Sequence, residues 1–568
     1  MYKKIVACLL VLCMALSVLV GCQKGTKDEA KDQNPGSSPN SGSDQSAGSD
    51  EDTQPAAKQE PFGKYETPIT ITTVRDLPNP SIVKYPEGDN VEKNVWTRTI
   101  ADELGINVEY LWTVDSSQLG TRLNSMIAGG ELPDFFLATA AQYQELREAE
   151  LLADITDVYE AYASDLVKET IDYGGKDVMD AVTQDGEMTA LPTIASQEFG
   201  PMLWIRTDWL KNLNLEEPEN IEDVLKIAEA FALNDPDGNG EKDTWGIPIN
   251  GDTTGGLAWQ LGFMNSFNSY PGIWVDDGSG GLQYGSVTEE TKEALAELRE
   301  LCEKGVIDPE FATRDYWANY DQITSGKYGI VYGPYYISIS PLQPLVDADA
   351  NAEWKAFPLL GKDGMAKMQQ AVPLSGYWVI SKDCKNPEAV IKLLNFWYRE
   401  FYQSPDIERF TRMINDGAEY TSIYSSSPIQ SYCQFANLDA ALIAKDVFDG
   451  KISEADMPPI AIQMYSDAKK YYDGDRSMWM WAKVYEGLTG VMSQYKDKNY
   501  ILADKNMSPP GDAMTSKYAS LYALEMSTFA KIISGQASID EFDSFIEEWK
   551  STGGDEITAE VNEWYKSR

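Results

Sequence analysis

From Thr67 onward, short β-branched runs alternate with stretches whose apolar residues recur at helical spacing, the pattern of an α/β fold with mostly parallel strands. Ile69-Thr70-Ile71-Thr72-Thr73-Val74 predicts a first strand. Val91 to Leu104 then predicts a helix, Ile106 to Leu111 a strand and Ser117 to Ile127 a helix. A turn at Gly129-Gly130 leads into a strand over Asp134 to Leu137, and a helix opens at Ala140. After Leu191-Pro192 the alternation restarts, with strands at Met202 to Arg206 and Tyr328 to Tyr332 and helices at Ile221 to Phe231 and Thr291 to Lys304. Beyond about Phe401, helical segments and tryptophans dominate. Two α/β lobes plus a helical tail are the simplest packing, with a cleft between the lobes as the natural ligand site. Trp209, Trp397 and Trp549 sit at helical spacing among aliphatic neighbours and are assigned to the core.

The first 60 residues follow a different logic. Lys3 and Lys4 precede an apolar run that ends in Leu19-Val20-Gly21-Cys22, the layout of a secretory leader with a small-residue cleavage site. Its last four residues resemble a bacterial lipobox, which implies cleavage of 1–21 and lipidation of Cys22. The rival, an uncleaved membrane helix, needs roughly 20 apolar residues, and Ile5 to Val20 is shorter. Between Gln23 and Glu60 there is no Val, Leu, Ile, Met or aromatic residue, so this stretch cannot bury enough apolar surface to order itself. We read 22–64 as a tether with an r.m.s. span of roughly 35 Å.

Composition then narrows the chemistry. With 47 Lys+Arg against 90 Asp+Glu, the net charge of −43 repels nucleic acid and anionic headgroups, so nucleic-acid partners are excluded and the membrane is met only through the lipid. Histidine is absent, which removes the commonest general base and imidazole metal ligand. No G-x-S-x-G or G-x-x-x-x-G-K-[ST] motif is present. Outside the leader and Cys22, only Cys302, Cys384 and Cys433 remain, too few and too scattered for a disulfide framework or thiolate zinc site.

Several segments in order resemble the family 1 extracellular solute-binding lipoproteins of the LplA type. They are Asn94-Val95-Trp96 to Gly105-Ile106-Asn107-Val108, Ala128 to Asp134, Trp204 to Leu210, and Glu541 to Lys550 with Trp564-Tyr565. Two more are similar to the wider class typified by maltose-binding protein: Tyr328 to Tyr335, a strand ending in Gly-Pro-aromatic, and Ala371 to Gly376 with Asn386 to Ala389. The resemblance implies a two-lobed periplasmic-binding-protein fold of type II, a Venus flytrap with hinge crossings near 191–196, 355–362 and 410–420. On that template 65–192 and 360–412 form the N-terminal lobe, and 193–358 and 415–568 the C-terminal lobe. It also implies capture of an oligosaccharide outside the cell and its delivery to the permease subunits of an ABC importer, by a monomer.

Sugar recognition pairs flat aromatic faces with planar polar groups. Tyr335 follows Gly-Pro at a strand end, where the class places a ring that stacks on the sugar, with Tyr336 as its alternative. Trp378 lies beyond the Ser375-Gly376 turn, and Trp317 and Trp259 flank Gly- and Asn-rich segments. Arg75, Asp76 and Thr139 follow strands, where open α/β sheets bind ligands. Trp481 joins the set; it points with Trp479 in a strand and away from it in a helix.

One loop reads as a metal site. Asp235, Asp237, Asn239 and Asp243 place side-chain oxygens at positions 1, 3, 5 and 9 of an EF-hand-like loop, with Gly240 at 6 and Glu241 at the position that needs only a carbonyl. Gly246 stands where a bidentate Glu is usual. Structural Ca2+ is expected, the alternative being an Asx-rich turn with no ion. Three functions stay open: a binding protein that releases its sugar unchanged, a carboxylate-based glycan-degrading enzyme on the cell surface, and a sugar sensor or adhesin with no importer.

Overall fold

The first helix starts at Val95, four residues later than the apolar pattern predicts, because the Asn94 side chain accepts from the N–H groups of Trp96 and Thr97 while the Thr97 hydroxyl accepts from the Asn94 N–H. That capping box satisfies donors the first turn cannot. The computed structural model describes residues 60–80, 83–251, 258–403, 425–457 and 459–567. Cys22, the leader and nearly all of the tether lie outside these, as does the crossing expected at 410–420.

In chain order the elements that frame the site are β1 (Ile69–Leu77), α1 (Val95–Leu104), β2 (Ile106–Asp115), β3 (Phe135–Ala138), α2 (Ala140–Glu148), β4 (Ala190–Ile194), β5 (Met202–Arg206), α3 (Ile221–Leu233), α4 (Tyr316–Thr324), β6 (Ile330–Gly333), β7 (Trp354–Phe357), β8 (Met368–Gln370), β9 (Leu374–Ile380), α5 (Pro387–Tyr398), α6 (Ala436–Phe448), α7 (Trp479–Gly487) and β10 (Ile501–Ala503). In α1, Trp96, Ile100 and Leu104 recur every four residues and are all buried. The helix stops at Gly105, whose φ of 68° suits glycine. A Cβ there would also lie 2.7 Å from the Tyr65 carbonyl oxygen.

Buried side chains fall into two cores. One holds Trp96, Phe135, Phe136, Leu191, Val379 and Trp397, drawn mainly from 65–194 and 374–401. The other holds Leu203, Trp204, Phe231, Leu298, Tyr332 and Trp354, drawn from 202–368 and 435–561. Leu360, Ala366 and Met368 pack into the second core, although the sequence reading put 360 onward in the first lobe. The crossing expected at 355–362 is likewise absent from that place: Trp354–Phe357 is β7, paired to β5.

Strand direction departs from expectation. β1 and β2 are parallel, Ile69 facing Ile106, and so are β8 and β10. Around the two central strands every ladder is antiparallel: β9 lies between β3 and β4, and β5 between β6 and β7. The cause is the chain's route. β9 enters the first lobe at the hinge and runs outward, whereas β4 runs back to the hinge, so Leu374 faces Ile194.

Among the described residues, three segments join the cores, at 195–201, 369–373 and 427–435. The first meets the second through Ala195 N–H to Pro373 O (2.9 Å), and the third through Gln197 N–H to Gln434 O (2.8 Å). Gly200 belongs here because a Cβ would sit 2.4 Å from the Met368 sulfur. The third segment is held to the first lobe by Trp378 Nε1–H to Gln430 O, Trp397 Nε1–H to Ser431 O and the Tyr398 hydroxyl to Ser431 Oγ.

Candidate functional site between the lobes

The hinge defines which ends of the strands face each other. In the second lobe, β5 begins just after the first crossing, and Met202 pairs with Gly333, the last residue of β6. Pro334 then turns the chain into a short 3-10 helix over Tyr335–Ser338. Tyr335 and Tyr336 thus sit at the hinge end of their lobe. Phe199, in the first crossing, joins them: ring centroids are 6.0 Å from Phe199 to Tyr335, 5.8 Å from Phe199 to Tyr336, and 5.6 Å between the tyrosines. Tyr335 is only 6% exposed, whereas Tyr336 is half-buried, so Tyr336 offers the more accessible ring.

On the first lobe, Ala138 at the end of β3 pairs with Tyr377 midway along β9, so Thr139, the next residue, continues toward the hinge end where β9 begins. Arg75 reaches the same end, its Nη1 donating to Ser427 O at 3.0 Å. Asp76 accepts from the Ser116 hydroxyl at 2.6 Å. The Thr139 hydroxyl is occupied, because it caps α2 by accepting from Gln142 N–H. Leu77, just past this pair, is exposed.

A second aromatic group stands farther along the second lobe. α4 runs toward the start of β6, so its first residues lie at the same end as Gly333. There Trp259 stacks on Tyr316 (4.9 Å, interplanar angle 15°), Tyr316 meets Trp317 edge-on (5.2 Å), and Trp317 contacts Tyr320 (5.7 Å). The Tyr320 hydroxyl bonds to Ser340, two residues past the Tyr335 helix. Trp317 is 44% exposed while Trp259 is buried, so Trp317 presents the surface and Trp259 supports it.

The remaining expected residues have structural duties. Trp378 is buried against Phe135 (5.8 Å) with its N–H given to the third crossing. Trp479-Met480-Trp481 lies in α7, which sets the two indoles on different faces: Trp479 is buried and Trp481 half-buried against the second core. Phe199 was missed by sequence reasoning. Its signal is the aperiodic stretch Ala195 to Pro201 between two strands, which marks a crossing but does not single out the ring. A cavity of about 640 Å³ also lies along the β7 edge, and none of the expected ligand residues lines it. Its Lys483 is paired with Glu353 and Glu486, and its Lys355 with Glu217.

The acidic loop is remote from the cleft. Trp245 bridges to Tyr328, ahead of β6 and opposite the Tyr335 end. Asp235 accepts from the N–H groups of Asn239 and Gly240, and the Asn239 amide donates to Asp237 and Asp243. Burial pushes the Asp237 carboxyl up, aided by Asp235 and Asp243. Asp243 is held down chiefly by Lys327, which already pairs with it. Among the described residues no three Asp, Glu, Cys or His side chains form a ready metal-holding group. The loop is therefore closed by hydrogen bonds among its own backbone and side chains, with Lys327 paired to the Asp243 carboxylate.

Among the described residues no helix is long and apolar enough to cross a membrane. Lipoprotein LipO of Bacillus subtilis is 21% identical over 488 residues, 84% of this chain and 89% of its own length. The polygalacturonan/rhamnogalacturonan-binding protein YtcQ of the same organism is 22% identical over 466 residues, 81% of this chain and 85% of its own. In fold, the chain is similar to an HMO-binding, ABC-transporter-associated solute-binding protein from Bifidobacterium longum infantis, with a TM-score of 0.56 at 17% identity, covering 88% of this chain and 99% of that one. Residues 91–403 match the family described as bacterial extracellular solute-binding protein. With the two cores, the three crossings and the ring cluster between them, this chain belongs to the bacterial extracellular solute-binding proteins.

Proposed function

We propose that the protein captures an oligosaccharide between its lobes, releases it unchanged to the permease subunits of an ABC importer, and is held at the outer face of the membrane by lipid on Cys22. The observation that carries the sugar reading is the Phe199–Tyr335–Tyr336 cluster at the hinge end of the second lobe, with Trp317 farther out at the same end. Aromatic faces bind the C–H surfaces of a sugar, and Arg75 and Asp76 at the opposing strand ends offer polar groups. YtcQ, whose name records polygalacturonan and rhamnogalacturonan binding, supports a glycan as the ligand. Closure needs only that the ligand touch both lobes at once, since contacts unavailable in the open form are what favour the closed one.

The deciding experiment is a thermal-shift screen of the purified protein against plant and microbial oligosaccharides. A ligand at 100 times its Kd raises stability by about 2.7 kcal/mol, so a true ligand gives a plain shift. No shift with any glycan would remove the sugar reading, and new reducing ends during incubation would replace it with hydrolysis. Lipidation is checked by labelling with a fatty-acid analogue, which Cys22→Ala should abolish. We further propose that the Asp235–Asp243 loop takes Ca2+ in a structural role, the ion displacing Lys327 from Asp243.

A further inference from the structure

Gln197 is bonded to both of the other crossings, its N–H to Gln434 O at 2.8 Å and its Nε2 to Ala371 O at 3.3 Å. Its neighbour Glu198 is fully buried. One carboxylate oxygen of Glu198 accepts from the Asn437 N–H (3.1 Å) and the Asn437 Nδ2 (2.5 Å), and the other accepts from the Leu438 N–H (2.9 Å). These backbone groups belong to the first turn of α6, whose own cap position is Phe435, with no side-chain acceptor. The first crossing thus supplies, from more than two hundred residues away, the cap that the helix after the third crossing lacks.

We propose that Glu198 is a positioning residue of the hinge, tying the first crossing to α6 and loosening that tie when it ionises. Water reaches this carboxyl only if the crossing parts from the helix, and a charged carboxylate gains far more from water than a neutral acid does. Ionisation therefore favours the parted arrangement, and the neutral form favours the tied one. Burial is the main force on the group and raises it to about 7, against the pull of the Leu438 and Asn437 donors. The charges around it are few. Asp439 on α6 pushes the same way and is paired with Lys496 at 3.0 Å. The Lys496 ammonium lies 4.9 Å from the Phe435 ring and 5.8 Å from that of Tyr173. Cys433 on the third crossing is itself pushed up by burial. The second crossing contributes the neutral Gln369 and Gln370.

Linkage fixes the direction. The arrangement in which the acid is hydrated has the lower pKa, so it gains population as pH rises through neutrality. Hydrogen–deuterium exchange of the ligand-free full chain at pH 6 to 8.5, corrected for the intrinsic pH dependence, reads this at peptides spanning 195–201 and 434–440. Wild type should exchange there at least fivefold faster at the upper limit than at the lower, while peptides in the two cores keep their protection. Glu198→Gln should remove the step. Asn437→Ala, which keeps the carboxyl but deletes a donor to it, should move the midpoint upward. Equal protection at both limits in wild type, a step that survives in Glu198→Gln, or an unmoved midpoint in Asn437→Ala would each overturn the proposal. If Glu198→Gln fails to fold, the Asn437→Ala midpoint decides alone. No sugar enters the measurement, so its failure leaves the binding reading standing, and a failed glycan screen leaves this one.

Discussion

Glu525 is sealed inside the second lobe, where the Ser286 and Tyr284 hydroxyls donate to its two oxygens at 2.7 and 3.1 Å. Burial outweighs those bonds and pushes its carboxyl from 4.5 to about 7; it likewise pushes that of Asp504 from 3.8 to about 6. An acid whose folded value is raised contributes stability that is complete below its unfolded value and is lost as pH rises through the folded one. The window here runs from about pH 4 to about 7, and for Glu525 alone the change is on the order of a few kcal/mol. Chemical denaturation at pH 5.5 and 8 should show wild type less stable at pH 8, and Glu525→Gln should narrow that difference; an unchanged difference would show that the carboxyl does not titrate in this range. Tyr335 and Tyr336 should separate in a different way. Tyr336→Ala removes a half-exposed ring and is expected to weaken the best glycan from the thermal screen by about tenfold or more, near the value of one good stacking contact, with little change in ligand-free melting. Tyr335→Ala removes a buried ring beside Gly487 of α7 and should cost both affinity and about 3 kcal/mol of stability.

Elements show why parts of the molecule are legible from sequence and parts are not. The end and the face of α1 are legible because Gly105 follows its last turn and Trp96, Ile100 and Leu104 mark one face, whereas the apolar pattern places its start ahead of the Asn94 cap. Asn94→Ala should cost about 1 kcal/mol. Gly105→Ala should cost about 2 kcal/mol or more, because it combines a strained φ with the 2.7 Å contact to Tyr65 O; urea titration reads both. Strand direction was not legible. The apolar runs of β4, β5 and β9 say that these strands are buried, and burial on both faces looks alike in parallel and antiparallel ladders. Direction is set by where the chain crosses the hinge, a long-range fact with no local residue signature. The place of Tyr335 at a strand end was legible because Gly-Pro closes that strand, whereas the ring packed against it, Phe199, comes from an aperiodic crossing. The acidic loop is the intermediate case: its spacing is plain, but the pairing of Lys327 with Asp243 is visible only in three dimensions. If the loop takes Ca2+, adding EDTA should lower the melting temperature and calcium should restore it, while Lys327→Ala should tighten calcium. A melting curve indifferent to both would leave the loop as an Asx-rich turn closed by a lysine.

At the scale of the whole molecule, two cores joined by three bonded crossings make a pair of bodies that can move against each other, and the net charge of −43 acts on that motion. Like-charged lobes repel, and the repulsion is screened over roughly 10 Å at 0.1 M salt. A neutral glycan must overcome it only through contacts to both lobes, so salt should change its affinity little beyond easing closure. An oligogalacturonide carries further negative charge into the same field, and every added uronate raises the electrostatic cost of entry. The expected result is unusual for a charged ligand: its affinity should rise from 20 mM to 300 mM NaCl, where attraction to a basic cleft would make it fall. Calorimetry at the two salt concentrations, with a neutral oligosaccharide of equal length as control, reads the difference directly. Small-angle scattering on the same samples should show the radius of gyration contract with either ligand. An acidic glycan that binds more tightly at low salt would mean that a local basic surface near Arg75 overrides the global field.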